Sequence, residues 1–321
     1  MPALPPVRPP PIPRYPHPMA RIRIGSKPPR FPGIQGPALD TLRRYALGEI
    51  SAPVALASLL FTAGDAAEVE SLLFRLADTH PAVSELWELL RSHPEGVRRI
   101  VPLLRDHPEQ EAAGEAGIET CRRFFDRAVV RCEEASVALY CLGDPAILAE
   151  GTREVVELFA RWGLLDPDHA TLEIGSGIGR FQVALAGRVR EAWGIDISEQ
   201  MVAAATRRAA GLPNVHFTLG SGRDLAPFPD RAFDLVFAVD SFPYLQQAGP
   251  DFVAGYFAET ARVLKPGGDF AVLNYSYTGD LNDDIAGFSG LCERFGFVVE
   301  VAGLQQLALW DGTAFLARRK R

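Results

Sequence analysis

From Asp168 to its C-terminus the chain alternates short apolar runs with amphipathic helical stretches, and few folds accommodate that alternation. Strands separated by helices need long crossover connections, which lay the strands parallel and place helices on both faces of the sheet. The pattern predicts strands at 170–174 (ATLEI), 191–196, 214–219, 233–239 (FDLVFAV), 269–275, 297–302 and 313–319. Helices are predicted at 178–188, 198–210, 251–264 and 283–294. The connection between the last two strands is too short for a helical crossover, so that pair is expected to be antiparallel. The fold expected for residues 169–321 is α/β: a doubly wound, mostly parallel seven-stranded sheet with an antiparallel last strand.

The preceding residues read as all-α. SELWELLRSH aligns Leu86, Leu89 and Leu90 on one helical face, and VRRIVPLLRDH aligns Ile100, Leu103 and Leu104. His-Pro recurs at 80–81, 93–94 and 107–108. Proline is tolerated in a helix's first turn and disrupts its interior, so these pairs are expected to separate short helices. No cysteine or carboxylate pattern completes a metal site around the three histidines. EQEAAGEAG, from Glu109, reads as a linker from a helical accessory region at 39–113 into helices at 114–168 that cap the core. Residues 1–38 hold 13 of the 26 prolines and six basic residues without an acid. That composition suits a disordered tail, with a tether to an acidic partner or RNA as the alternative.

Several classes are excluded. No run of about 18 apolar residues exists, so no membrane span is expected, and no apolar h-region marks a secretory signal. Cys121, Cys132, Cys141 and Cys292 form no CxxC pair, which suits buried free thiols in a reducing, cytoplasmic setting. A net charge of −7 argues against a dedicated nucleic-acid binder.

The residues that carry chemistry start where the first strand ends, at Glu173-Ile174-Gly175-Ser176-Gly177-Ile178-Gly179. Glycines at a strand-to-helix turn let a ligand approach the backbone, and the helix behind offers free N–H groups to an anion. The dinucleotide fingerprint places its third glycine at the sixth position; here that position is Arg180. A nicotinamide cofactor is therefore disfavoured. Asp196 ends the second strand, 21 residues after Gly175, where a carboxylate can accept from both hydroxyls of a ribose. It could instead cap the following helix, although Ser198 is better placed for that.

Together with the glycine loop, GIDIS, FDLVFAVDSF and VLKPGGDFAVL follow in an order and spacing that resembles the class I S-adenosylmethionine-dependent methyltransferases, over about residues 146–321. The resemblance implies a Rossmann-like sheet and S-adenosyl-L-methionine as cofactor. It implies that Gly175, Ser176, Gly177 and Gly179 surround the methionine part, with Glu173 near its charged end. Asp196 would hold the ribose and Ile197 flank the adenine. The family's usual adenine-contacting Asp or Asn is replaced by Ser221, followed by Gly222 and Asp224. Lys265-Pro266-Gly267-Gly268 would form a turn before the fifth strand.

Asp240 and Tyr244 follow the fourth strand, where the family places the transferring methyl group, so they are the candidate catalytic residues, with Asp240 also a candidate cofactor contact. Tyr275 and Tyr277 are further polar candidates, equally readable as core or wall aromatics. Tyr140 is a candidate lid contact. The expected acceptor is a small molecule. A protein acceptor docking on the N-terminal helices, or a non-catalytic binding module on the same fold, are the alternatives.

Overall fold

The computed structural model describes residues 31–321 apart from 79 and 107–112. The proline-rich run 1–30 and the third His-Pro pair, His107-Pro108, lie outside the described residues. Phe31 is already buried, against His80 at 4.7 Å, and α1 (Gly36–Ala46) begins within the stretch read as tail. Then come α2 (Ala52–Ala63), α3 (Ala66–Ala77), α4 (Pro81–Ser92) and α5 (Pro94–Arg105). The first two His-Pro pairs mark helix boundaries: Pro81 and Pro94 open α4 and α5, with His80 and His93 as their N-caps. His93 also ties this helical region to the later part of the chain, because its Nε2 lies 2.9 Å from Asp144 Oδ2.

Glu109–Gly117, read as a linker, departs from that expectation in its second half, because α6 runs over Gly114–Arg131 and includes it. After α7 (Glu133–Val137) and a single 3₁₀ turn at Leu139–Cys141, α8 (Pro145–Arg161) leads into the sheet. Asp144 caps α8 by accepting from the Ala146 N–H at 2.7 Å. Buried apolar side chains of α1–α6 form one continuous cluster, including Leu42, Leu56, Leu86, Ile100 and Phe124. That cluster extends without a break to Ile178, Met201 and Ala204 of the α/β half.

Seven strands form one sheet: β1 (Ala170–Ile174), β2 (Glu191–Asp196), β3 (Val215–Leu219), β4 (Phe233–Val239), β5 (Leu264–Leu273), β6 (Phe297–Gln305) and β7 (Thr313–Arg319). Their order is β3-β2-β1-β4-β5-β7-β6. All pairs are parallel except those of β7, which inserts between β5 and β6 antiparallel to both. The winding reverses between β1 and β4, and a doubly wound sheet opens its ligand crevice at that point, beyond the strands' C-terminal ends.

Helices α9 (Arg180–Leu185), α10 (Glu199–Arg208), α11 (Phe242–Ala248), α12 (Pro250–Val263) and α13 (Leu281–Arg294) complete the fold. Alternate residues of β4 serve opposite faces, as a two-sided sheet requires. Leu235, Phe237 and Val239 pack with α8 and α9, whereas Val236 and Ala238 pack with α12 and α13. The expected turn at Lys265–Gly268 is instead absorbed into β5 as an irregularity, with Phe233 pairing Leu264 and Leu235 pairing Asp269. The Lys265 ammonium holds Asp234 there at 2.8 and 2.9 Å. All four cysteines are free and buried. No helix among the described residues is long and apolar enough to cross a membrane.

Candidate active site

The loop after β1 turns on glycines in the left-handed region. At Gly177 (φ 51°) a Cβ would sit 2.5 Å from Val137 Cγ1 of α7, and at Gly179 (φ 72°) it would sit 2.4 Å from Phe217 Cζ. The motif therefore serves two ends: it turns the chain into α9, and it lets α7 close directly over the loop. Ser176 points the other way, against Gly194 of β2, and its buried hydroxyl has no hydrogen-bond partner among the described residues.

Asp196 is the hub of the β2 end. Its Oδ2 accepts from the Gly177 N–H at 2.8 Å and its Oδ1 from the Ser198 N–H at 2.9 Å. Ser198, not Asp196, caps α10, its hydroxyl accepting from the Met201 N–H at 3.0 Å. That hydroxyl in turn donates to Asp126 Oδ1 of α6 at 2.7 Å, fastening α6 over the site. Burial raises the Asp196 carboxyl to about 6 against these stabilising N–H donors. Ile197 and Gly222 lie together beneath Ile118 of α6. Ser221 is exposed and occupied locally, donating to Asp224 Oδ1 at 3.1 Å and accepting from the Arg223 N–H at 3.1 Å.

At the end of β4, Asp240 Oδ1 accepts from Asn274 Nδ2 at 2.7 Å and from the Tyr277 hydroxyl at 3.0 Å. Asp240 and Asn274 both adopt positive φ, 58° and 67°. Asp and Asn tolerate that region better than other side chains, and strained backbone of this kind gathers at functional sites. Tyr277 also hydrogen-bonds Tyr244, so Asp240, Tyr277 and Tyr244 form a chain. Burial pushes the Asp240 carboxyl up to about 6 and holds both phenols protonated well above their usual range. Tyr275, by contrast, is core, stacked on Phe242 at 5.9 Å.

One cavity of about 1160 Å³ joins these groups. Gly175, Gly177, Asp196, Ile197, Gly222, Asp240 and Tyr244 line it, as do Tyr277 and Tyr140. Glu173, Ser176, Gly179 and Ser221 do not. Much of the remaining wall comes from α2, α5 and α6, with further residues from α7 and α11 and with Trp310, which stacks on Tyr140 at 6.4 Å. Asn274 carries no motif in the sequence. Its signal was positional: it follows β5 at the sheet edge where Asp240 follows β4.

Glu173 sits one layer behind the cavity, 2% exposed, accepting from Gln182 Nε2 at 2.8 Å. Burial raises its carboxyl from 4.5 to about 8. A carboxyl whose pKa is higher folded than unfolded binds its proton more tightly in the native state, so stability falls as pH rises between the two values. Asp196 and Asp240 are half ionised at about 6 and largely ionised by about 7, which leaves the range from about 7 to about 8 to Glu173. The melting temperature is expected to fall over that range, and Glu173→Gln to flatten the fall. A slope unchanged in the variant would show that Glu173 is not the group titrating.

The sequence profile of the family described as "Methyltransferase domain" matches residues 172–272, from β1 to β5. A demethylmenaquinone methyltransferase of Tropheryma whipplei is 34% identical over 156 residues, covering 49% of this chain and 59% of that protein. A trans-aconitate 2-methyltransferase of an Acidovorax species is 38% identical over 136 residues, covering 40% and 48%. The chain thus spans between about half and three fifths of the length of such curated relatives. Among solved structures, phosphoethanolamine N-methyltransferase 1 of Haemonchus contortus, in complex with phosphoethanolamine and S-adenosylhomocysteine, superposes with a TM-score of 0.51 at 16% identity. That likeness covers 67% of this chain and 51% of the other, and it shows the shared fold.

Proposed function

The C-terminal half of this chain belongs to the class I S-adenosylmethionine-dependent methyltransferases, and from that premise we propose that the protein transfers a methyl group to a small-molecule acceptor inside the cavity. The observation that carries this reading is the position of Asp196. A carboxylate has about four lone-pair sites, and each Asp196 oxygen gives one to a backbone N–H. The Ile197 N–H takes part of what is left, and the remaining acceptor capacity sits on a side chain that lines the cavity, where ribose hydroxyls can donate.

Around that anchor, Ile197 and Gly222 supply apolar wall on the side where adenine would lie, and the backbone of Gly175 and Gly177 borders the methionine part. The bound cofactor supplies an electrophilic methyl on a sulfonium. The chain's own residues position and desolvate. Helices α6 and α7 close over the glycine loop, and well-oriented reactants held about 3–3.5 Å apart gain up to roughly 7–11 kcal/mol. Asp240 meets the reacting end with Oδ2, because both of its hydrogen bonds within the protein fall on Oδ1.

A protein acceptor or partner on the helical half is the second reading. Phe74, 65% exposed and paired with Trp87 at 5.7 Å, favours it. The placement of Asp240 in the lining of the cavity favours the small molecule. The family alternative of a non-catalytic module is separated by binding. In a thermal-shift titration, S-adenosylmethionine and S-adenosylhomocysteine are expected to raise the melting temperature and NADPH to leave it unchanged. A ligand at 100 times its Kd stabilises by about 2.7 kcal/mol, which such a scan resolves. No shift with either adenosyl ligand would overturn the proposed activity.

A further inference from the structure

The cavity is larger than its cofactor half requires, and its other half has a distinct chemistry. Ligand pockets commonly enclose about 300–1,000 Å³; at about 1160 Å³ this one has room for a second molecule. The wall contributed by the N-terminal helices includes Val54, Ala57, Leu103, Leu104, Phe124 and Phe125. Among the described lining residues the charged side chains are Asp196, Asp240, Asp311 and Arg105. Arg105 is exposed and already donates to the Gly64 carbonyl at 2.7 Å, and Arg180, which acts on Asp240 from outside the lining, lies against Thr152 and Phe181, so the described lining offers an anion no buried cation.

Aromatic edges run unbroken from the reacting end to that wall. Tyr277 meets Tyr244 at 5.8 Å, Tyr244 meets Phe125 at 5.1 Å, and Phe125 meets Phe124 at 5.1 Å, each pair edge to face. Such edges pack favourably on the face of another ring. Asp240 stands at the Tyr277 end of this series and accepts a hydrogen bond from it.

We propose that the acceptor is an uncharged, largely apolar ring compound carrying a weakly acidic hydroxyl, with its body against α2, α5 and α6 and its hydroxyl at Asp240. This rests on the methyl-transfer reading above. In the step, the hydroxyl oxygen forms the new bond to the methyl carbon. The carbon–sulfur bond of the sulfonium breaks, its electron pair returning to sulfur as a thioether. The hydroxyl proton passes to the Asp240 carboxylate and then to solvent. Polyanionic acceptors are excluded by the same wall, since burying a carboxylate without a partner cation is costly.

The test uses the full chain with 2-naphthol as probe, read by its intrinsic fluorescence. Binding is measured with saturating S-adenosylhomocysteine, and methyl transfer with isotopically labelled S-adenosylmethionine. Binding of 2-naphthol and labelled methyl ether are expected, with neither for a tricarboxylic acid. Ala57→Phe fills the apolar half from α2, and Ser58→Phe does so from a less buried position should the first variant fold poorly. Either is expected to weaken 2-naphthol about tenfold or more, equivalent to about 1.4 kcal/mol, with S-adenosylhomocysteine affinity unchanged. Binding of 2-naphthol insensitive to both substitutions, or preference for the tricarboxylic acid, overturns the proposal while leaving methyl transfer standing. Failure of S-adenosylhomocysteine to bind overturns the methyl-transfer reading itself.

Discussion

Asp196→Ala is expected to lower S-adenosylhomocysteine affinity by at least about a hundredfold in calorimetry, because two charge-assisted hydrogen bonds at about 1.5–3 kcal/mol each are lost. The variant also removes the acceptors of the Gly177 and Ser198 N–H groups, so some loss of melting temperature is expected as well. The two roles separate by comparison. If Asp196 merely braces the glycine loop, stability drops and the affinity of the folded fraction holds. If it also meets the ribose, affinity falls by far more than the change in stability explains. Retained affinity would remove the observation on which the proposed function rests.

Asp240→Asn is expected to reduce turnover of 2-naphthol by about 10²–10⁴, the range that a positioned general base contributes. The amide keeps an oxygen for Asn274 and Tyr277, so the site's shape is retained while the proton acceptor is lost. Wild-type turnover should rise with pH through about 6, where the buried carboxyl ionises, because only the charged form takes a proton. In the variant that rise should be absent. A loss of S-adenosylhomocysteine affinity in place of turnover would assign Asp240 to cofactor binding instead.

Neighbouring sites of similar origin differed in how far the residues themselves announced them. The glycine loop and Asp196 were legible because their constraints are local: a turn in the left-handed region needs glycine, and a strand end has a fixed place in a doubly wound sheet. Glu173 was equally conspicuous, yet the structure sets it behind the cavity on Gln182. Residue spacing gives the strand but not the depth to which one face is covered. Asn274 carried no motif and became visible only when β5 was set beside β4. Lys265–Gly268 has the composition of a turn and keeps that character inside β5, because pairing to β4 skips from Leu264 to Asp269 and Gly267 sits at φ 85°.

By itself the sequence determined the alternation of strands and helices, the expectation of a doubly wound sheet, and, through its family resemblance, the residues expected to hold an adenosyl ligand. Those features arise from period, turn chemistry and the handedness of crossovers, which act within one strand–helix–strand unit or less. Only the tertiary structure decided that β7 inserts between β5 and β6, that Asp240, Asn274 and Tyr277 converge, and that α2, α5 and α6 complete the cavity with an apolar wall. These depend on which distant surfaces bury one another, and an amphipathic helix records that it has an apolar face without recording its partner.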